Sequence, residues 1–497
     1  MATSPAPAGA RHARRASFRL AAPAIAALLA GCAVGPDYVR PALDVPAEYK
    51  ESGPWKTAEP QPAQSAQAWW QVYHDDTLDG LMRDADRANQ DLRVAEAQYR
   101  QARALADQAR AGLWPVVGAD AGAGRARANA SGGARIADAY TLGLAASWEP
   151  DLWGGVRRGV EAGQAGAQAS ADDLAAARLS IQTTLAQDYL ALRITDQLRD
   201  LYASTTAAYE KALALTKAQH AAGVTLLSDV ALAETTLTTA QAQAVDLDAA
   251  RAQLEHAIAV LTGRAPAQFT LAQIPAGQYP EVALPATPTG LPSELLEHRP
   301  DIAAAERRAA AANAQIGVAR AAYFPTLTLS ASGGFASATI GTLFDTPSRV
   351  WALGAALAET VFDGGLRSAR DAQAVAAYDA AVAQYKQTVL AGFQQVEDNL
   401  AVLRILDQES GLQAKAVDAS LLAERLALTQ YRAGTTNYLN VITAQALSLN
   451  NRRAAVTLRG RQLAASIGLI AATGGGWTGT DTADHPVAQG AAQGPNS

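Results

Sequence analysis

The sequence predicts a mainly α-helical chain joined to a membrane β-barrel, built by tandem duplication and contributing four strands per chain. Three observations point there. Proline is absent from Asp151 to Ala265 and from Ser348 to His485, and Ala-rich helical patterning fills both stretches. The chain matches itself at a fixed offset. Each half also holds two stretches in which apolar and small polar residues alternate, each about ten residues long, the length of a tilted membrane strand.

The self-match holds its register over much of the chain. At an offset of 210, Asp91–Ala104 lies over Asp301–Ala314, with Glu96 over Glu306. Trp114-Pro115 falls on Phe324-Pro325, and Leu152-Trp153-Gly154-Gly155 on Phe362-Asp363-Gly364-Gly365. After one inserted residue, Arg193-Ile194 meets Arg404-Ile405 and Ala222-Gly223 meets Ala433-Gly434. The copies read as residues 78–264 and 293–473.

Taken in order, residues 1–31 read as a secretory signal. They hold Arg11, Arg14, Arg15 and Arg19 and no acid, and Leu20–Ala30 is apolar but too short to span a bilayer. The run closes on Leu29-Ala30-Gly31-Cys32, and Cys32 is the only cysteine. A lone cysteine is otherwise a small buried residue. After an apolar run and small residues it resembles a bacterial lipobox, which implies an S-diacylglycerol and an N-acyl group on Cys32. Residues 32–77 then form a lipidated N-terminus and equatorial segment.

One rising helix is expected over 78–112, then strands near 116–128 and 138–148. In the second strand Tyr140, Leu142, Leu144, Ala146 and Trp148 alternate with Thr141, Gly143, Ala145 and Ser147. From Gly155 to Ala222 the pattern gives about 100 Å of helix. Gly223 marks a turn, with Thr225 or Ser228 capping a return helix over 226–262 of about 55 Å. The proline-studded stretch 265–292 is an equatorial linker. A helix over 293–320 adds about 42 Å, so the two return pieces together match the descent. The second half repeats the plan: strands over 326–337 and 349–360, a descent over 365–433, a turn at Gly434, and a return over 437–472. Residues 474–497 form an equatorial or disordered tail.

Four strands cannot close a barrel, and an open edge cannot face lipid. Two chains would pool eight strands around a filled interior, and three would pool twelve around a lumen. The faces opposite the apolar rows are Gly, Ala, Ser and Thr, which suit a water-filled bore. A soluble sheet packing its apolar face on helices is the alternative.

"LPSELLEHRPDIAAAE" (291–306), "IGVARAAYFPTLTLSASGG" (316–334), "FDGG" (362–365) and "YRAGTTNYLNVITAQ" (431–445) resemble the TolC-type outer-membrane efflux factors. With the lipobox, the likeness is to the NodT/OprM-like lipoprotein branch. It implies a TolC-like homotrimer: a twelve-stranded barrel, a long periplasmic α-helical barrel and an equatorial domain. It implies docking to a periplasmic membrane-fusion adaptor and an inner-membrane pump of the RND type, in a tripartite efflux system. The expected place is the outer membrane, lipid-anchored and reaching into the periplasm. A type I protein-secretion duct of the same fold, or a structural coiled-coil lipoprotein, are the other readings.

No enzyme is expected. The six histidines show no metal-ligand spacing, and no phosphate loop, GxSxG or HExxH occurs. Neither metal nor cofactor is therefore expected. The net charge is −6, or −10 without the four arginines of the signal, which argues against nucleic acid. Function then falls on a conduit and its closure near the turns at Gly223 and Gly434. In the lipoprotein branch a Leu and an acid four positions on line the constriction. The matching residues are Leu439 and Thr443, and Thr443 departs from that pattern. Asp229, on the other hairpin, reads either as the missing charge or as a helix N-cap.

Overall fold

A computed structural model describes residues 33–43, 45–46, 49–51, 68–130, 133–275 and 298–478. The signal, Cys32 and the tail beyond 478 lie outside them, as does linker sequence 276–297. The elements run α1 (Asp76–Ala88), α2 (Gln90–Ala111), β1 (Val116–Ala130), β2 (Gly133–Trp148), α3 (Gly155–Ala221) and α4 (Leu227–Leu261). After the linker come α5 (Pro300–Ala321), β3 (Thr326–Ser337), β4 (Arg349–Ala358), α6 (Leu366–Arg432) and α7 (Tyr438–Ala472). At 67 residues each, α3 and α6 are about 100 Å long.

The chain divides into two compact units, one taking in the described residues to Ala42, Gln98–Ser170 and Ala304–Tyr385. Its centre is an antiparallel sheet in the order β1-β2-β3-β4, so β1 and β4 are both open edges. The register places Ala119, Leu144, Gly333 and Trp351 in one row across all four strands. Rows of that parity carry the large apolar side chains. Trp351, Leu353 and Leu357 are 77%, 75% and 68% exposed, which no sheet packed on its own helices would show. The alternate rows, such as Gly118, Ala145, Ser332 and Ala352, are small and polar. At the helix end of the sheet, Trp153 stacks on Phe324 at 4.8 Å and its Nε1 donates to the Pro325 carbonyl.

The second unit holds Leu43–Ala97, Ala171–Ala303 and residues from Lys386 on, as far as they are described. One core gathers Trp69, Trp70, Leu78, Met82, Leu185, Tyr189, Ile258, Phe269, Leu463 and Ile467. The 3₁₀ turn Trp69–Tyr73 and the loop containing Phe269 thus pack on the middle of α3 beside the C-terminal ends of α4 and α7.

Two expectations change. The single rising helix of 78–112 is broken at Asn89, whose backbone is extended. Asn89 caps α2, accepting the Leu92 amide at Oδ1, while its Nδ2 donates to the Leu261 carbonyl at 2.9 Å. A short amide side chain competes with the helix for backbone groups, and here a carbonyl at the end of α4 supplies the second partner. The helix expected over 293–320 is likewise interrupted at Arg299, which stands outside helix between His298 and α5; residues 293–297 lie outside the described ones, and Pro300 takes the tolerated first-turn position. Arg299 beside it grips both Asp301 oxygens and donates to Gln395 and to the Ala472 carbonyl. That network gives the Arg-Pro-Asp-Ile stretch a structural task.

Candidate functional site

The two hairpin tips are built alike. In each, a glycine in the left-handed region closes the descending helix: Gly223 at φ 73°, where its amide meets the His220 carbonyl, and Gly434 at φ 73°, on Tyr431. The following amides, Val224 and Thr435, reach back to Gln219 and Gln430, which completes a Schellman-type stop.

Beyond the glycines the tips diverge. Asn437 caps α7 through its side chain, accepting the Asn440 amide at 3.2 Å. The equivalent residue is Leu226, and it caps α4 with no side-chain bond. Neither Thr225 nor Ser228 takes the cap, as the sequence suggested, because Thr225 Oγ1 donates instead to the Asp229 carboxylate. Asp229 is therefore not an N-cap. It lies in the first turn of α4, where a carboxylate is favoured by the amides of the helix start.

The offset of 211 pairs Asp229 with Asn440 and Thr225 with Thr436, and the same link recurs with roles reversed. Asn440 Nδ2 donates to Thr436 Oγ1 at 2.6 Å. The signal for this pair in the sequence is the repeat itself, which aligns Thr225 and Asp229 with Thr436 and Asn440.

Leu439 is 54% exposed, and Thr443, one turn on, is exposed on the same stripe. The Thr443 hydroxyl donates to the Leu439 carbonyl, so its donor is spent within its own helix. Beneath them Tyr202, Tyr209, Val230, Leu237, Tyr431, Tyr438 and Val441 form the tip core. Burial first, then neighbouring Tyr431 and the charge of Asp229, push the Tyr438 phenol up, against a Thr216 hydrogen bond that lowers it. Asp229 thus lies within electrostatic reach of the residue preceding Leu439. Val224, Leu226 and Leu227 leave a small apolar patch exposed on the first tip only.

The third feature is the segment after Cys32. Val34 donates its amide to the Trp153 carbonyl, and Asn313 Nδ2 donates to that of Pro36. Arg158, its side chain 7% exposed, bonds Asp37 and Glu161 and the carbonyls of Val34 and Gly35. Tyr38 donates to buried Glu306, and Arg40 Nε to the Tyr385 hydroxyl. A Cβ on Gly35 would come within 2.5 Å of Gly317 Cα, so two glycines permit this approach. Cys32 itself lies outside the described residues, and nothing in the sequence signalled how firmly its successors are held.

Among the described residues no group of His, Cys, Asp and Glu could hold a metal, and no helix is long and apolar enough to cross a membrane.

The family described as outer membrane efflux protein matches residues 81–264 and 291–475. The toluene efflux pump outer membrane protein TtgF of Pseudomonas putida is 33% identical over 466 residues, 91% of this chain and 96% of that protein. OprJ, an outer membrane protein of Pseudomonas aeruginosa, is 33% identical over 472 residues, covering 93% of this chain and 97% of its own length. Among solved structures, the outer-membrane channel OprN superposes with a TM-score of 0.84 at 31% identity, over 90% of this chain and 100% of that one. With both halves matched and a sheet that leaves two edges and an apolar face open, the chain belongs to the outer membrane efflux protein family.

Proposed function

We infer that the protein is the outer-membrane channel of a tripartite efflux pump, carrying small molecules from the periplasm to the outside. One observation carries this reading. Four strands present a continuous apolar face and two unpaired edges, a combination stable only when copies pool their strands in lipid. Three copies give twelve strands, whose small polar inner rows fit a water-filled bore. Helices about 100 Å long carry the bore into the periplasm, where an adaptor and an inner-membrane pump supply the energy.

In this reading Cys32 carries the acyl chains, the only covalent group required, and the chain performs no catalysis. The segment Ala33–Arg40, fixed on Arg158, Asn313, Glu306 and Tyr385, supports it by tying the chain next to the anchor onto the strand-bearing unit. The resting gate lies at the hairpin tips: Leu439 forms an apolar ring, Thr443 a polar ring beside it, and Asp229 brings the charge. The domain reading follows the same division, with two repeats at 78–264 and 293–473 joined by the equatorial segment 265–292.

Reconstitution tests the reading. The purified full-length protein should give discrete trimeric conductances in planar bilayers. A monomer in native mass spectrometry with no conductance would refute it.

A further inference from the structure

The apolar face of the sheet stops before the strands do. On β1 and β2 this face is apolar from Trp148 to the Ala123–Tyr140 pair, and the next pairs outward are Arg125–Asp138 and Arg127–Ile136. Arg349 opens β4 opposite Phe335, on the face shared by Trp351 and Leu353. All three arginines are exposed. Arg125 meets Asp138 at 3.5 Å through Nε and keeps 73% of its side chain accessible.

Composition sharpens the pattern. Residues 124–139 and 336–349, the outer ends of the hairpins, contain Arg125, Arg127, Arg135 and Arg349 against Asp138 and Asp345, with no lysine. The chain as a whole is acidic, so this surplus is local.

Geometry gives the level. Tyr140–Trp148 spans about 30 Å along the strand, or about 23 Å of height at a tilt near 40°, which matches the apolar band of such barrels. Arg125 and Arg127 then stand roughly 5 and 10 Å above the band, at the depth of lipid headgroups. They lie on the lipid-side face, with apolar rows directly below to meet acyl chains. The three described arginines also occupy the two edge strands. When copies pool their strands, β4 of one copy meets β1 of the next, so arginine stands on both sides of each seam.

We propose that this rim binds the phosphate groups of phosphorylated glycolipid in the outer leaflet, at the seams between copies. The planar guanidinium fork takes two phosphate oxygens at once, which explains the use of arginine without lysine. Headgroups held there would tie adjacent copies together from outside. The proposal rests on the trimeric barrel reading above.

The test compares the full-length trimer with Arg125→Gln/Arg127→Gln/Arg349→Gln. Each is presented with bisphosphorylated lipid A, dephosphorylated lipid A or phosphatidylglycerol in mixed micelles. Native mass spectrometry counts retained lipid, and gel mobility on heating gives the trimer dissociation temperature. The wild type should retain bisphosphorylated lipid A and dissociate at a higher temperature with it, whereas the triple variant retains about tenfold less or lower. Conductance should be the same in both. Where the triple variant does not assemble, Arg127→Gln and Arg349→Gln singly should each give part of the loss. Unchanged retention in the variants, or equal retention of the dephosphorylated lipid or of phosphatidylglycerol, overturns the proposal. Absence of any trimer or conductance in the wild type overturns the channel reading with it, so the two failures are distinct.

Discussion

Leu144 offers a sharp test of which medium covers the apolar face. It lies midway along the apolar part of β2, in the row Ala119–Leu144–Gly333–Trp351, and is 59% exposed in a single chain. If that face meets hydrocarbon, Leu144→Arg places a charge near mid-membrane at a cost of about 2–4 kcal/mol per site. Each copy would then fold roughly 30- to 700-fold less favourably, at 1.4 kcal/mol per tenfold. Three copies per trimer would multiply the effect. If the face met water instead, an exposed Leu→Arg change would stay within about 0.5 kcal/mol. The control is the next residue. Ala145 points to the other face, between Gly118 and Ser332, where arginine finds small neighbours and a polar bore. Reversible urea unfolding in vesicles, followed by tryptophan fluorescence, measures both variants. Equal losses for Leu144→Arg and Ala145→Arg, or none for either, would refute the barrel assignment.

Three further predictions concern the anchor, the gate and a helix start. Cys32→Ser should abolish incorporation of labelled fatty acid and slow removal of the signal, and labelling at the wild-type level would remove the anchor. Leu439→Ala or Asp229→Ala should raise resting conductance severalfold and sensitise cells to large antibiotics such as vancomycin, while Leu422→Ala and Ser180→Ala should not. Thr225→Val, which removes the bond to Asp229 but keeps its charge, shows by its conductance whether charge or local support closes the tip. At the start of α6, the Arg367 side chain, with the amides of Gly365 and Arg367, holds the Asp363 carboxyl below its ordinary 3.8. Its stabilising contribution is therefore present at neutral pH and fades only as pH falls through that lowered value. Asp363→Asn should accordingly lower the unfolding temperature at pH 7, and the difference from wild type should shrink as the pH is taken below 3.8.

The strands and long helices were legible because their signals are local. Strict alternation from Thr326 marked β3 to the residue, and proline-free sequence after Gly155 and Gly365 marked both descents. What stayed hidden depends on partners distant in sequence. Asn89 breaks a helix because the Leu261 carbonyl, 172 residues on, awaits its amide. Arg299 looks like any charged residue before a proline until the Ala472 carbonyl arrives beside it. The strap of residues 33–40 has no periodicity at all, and its hold comes from Arg158, Asn313 and Glu306 on helices of both repeats. The gate candidates Leu439 and Thr443 rest on resemblance alone, since an exposed Leu439 carries no sequence signal of its own.

Duplication explains the fold, and the two copies part company at the tips as well as in strand length. Both hairpins keep the glycine stop and the side-chain link across one turn, because each needs to reverse a helix within a few residues. The second tip satisfies its helix start with Asn437 and carries Asn440 uncharged. In the first, Leu226 leaves the cap unfilled, three apolar side chains stand exposed, and an acid replaces the amide. A missing side-chain cap costs a helix end about 1 kcal/mol, so the first tip is the more weakly held of the two. In a trimer the tips alternate, three of each kind around one axis. Identical tips would have to part together or not at all. Both tips share one core, in which Tyr202, Tyr209 and Val230 of the first pack with Tyr431, Tyr438 and Val441 of the second, so the difference between them lies in the cap and in the exposed Val224, Leu226 and Leu227, a surface that only the first tip offers to a contact favouring an open state.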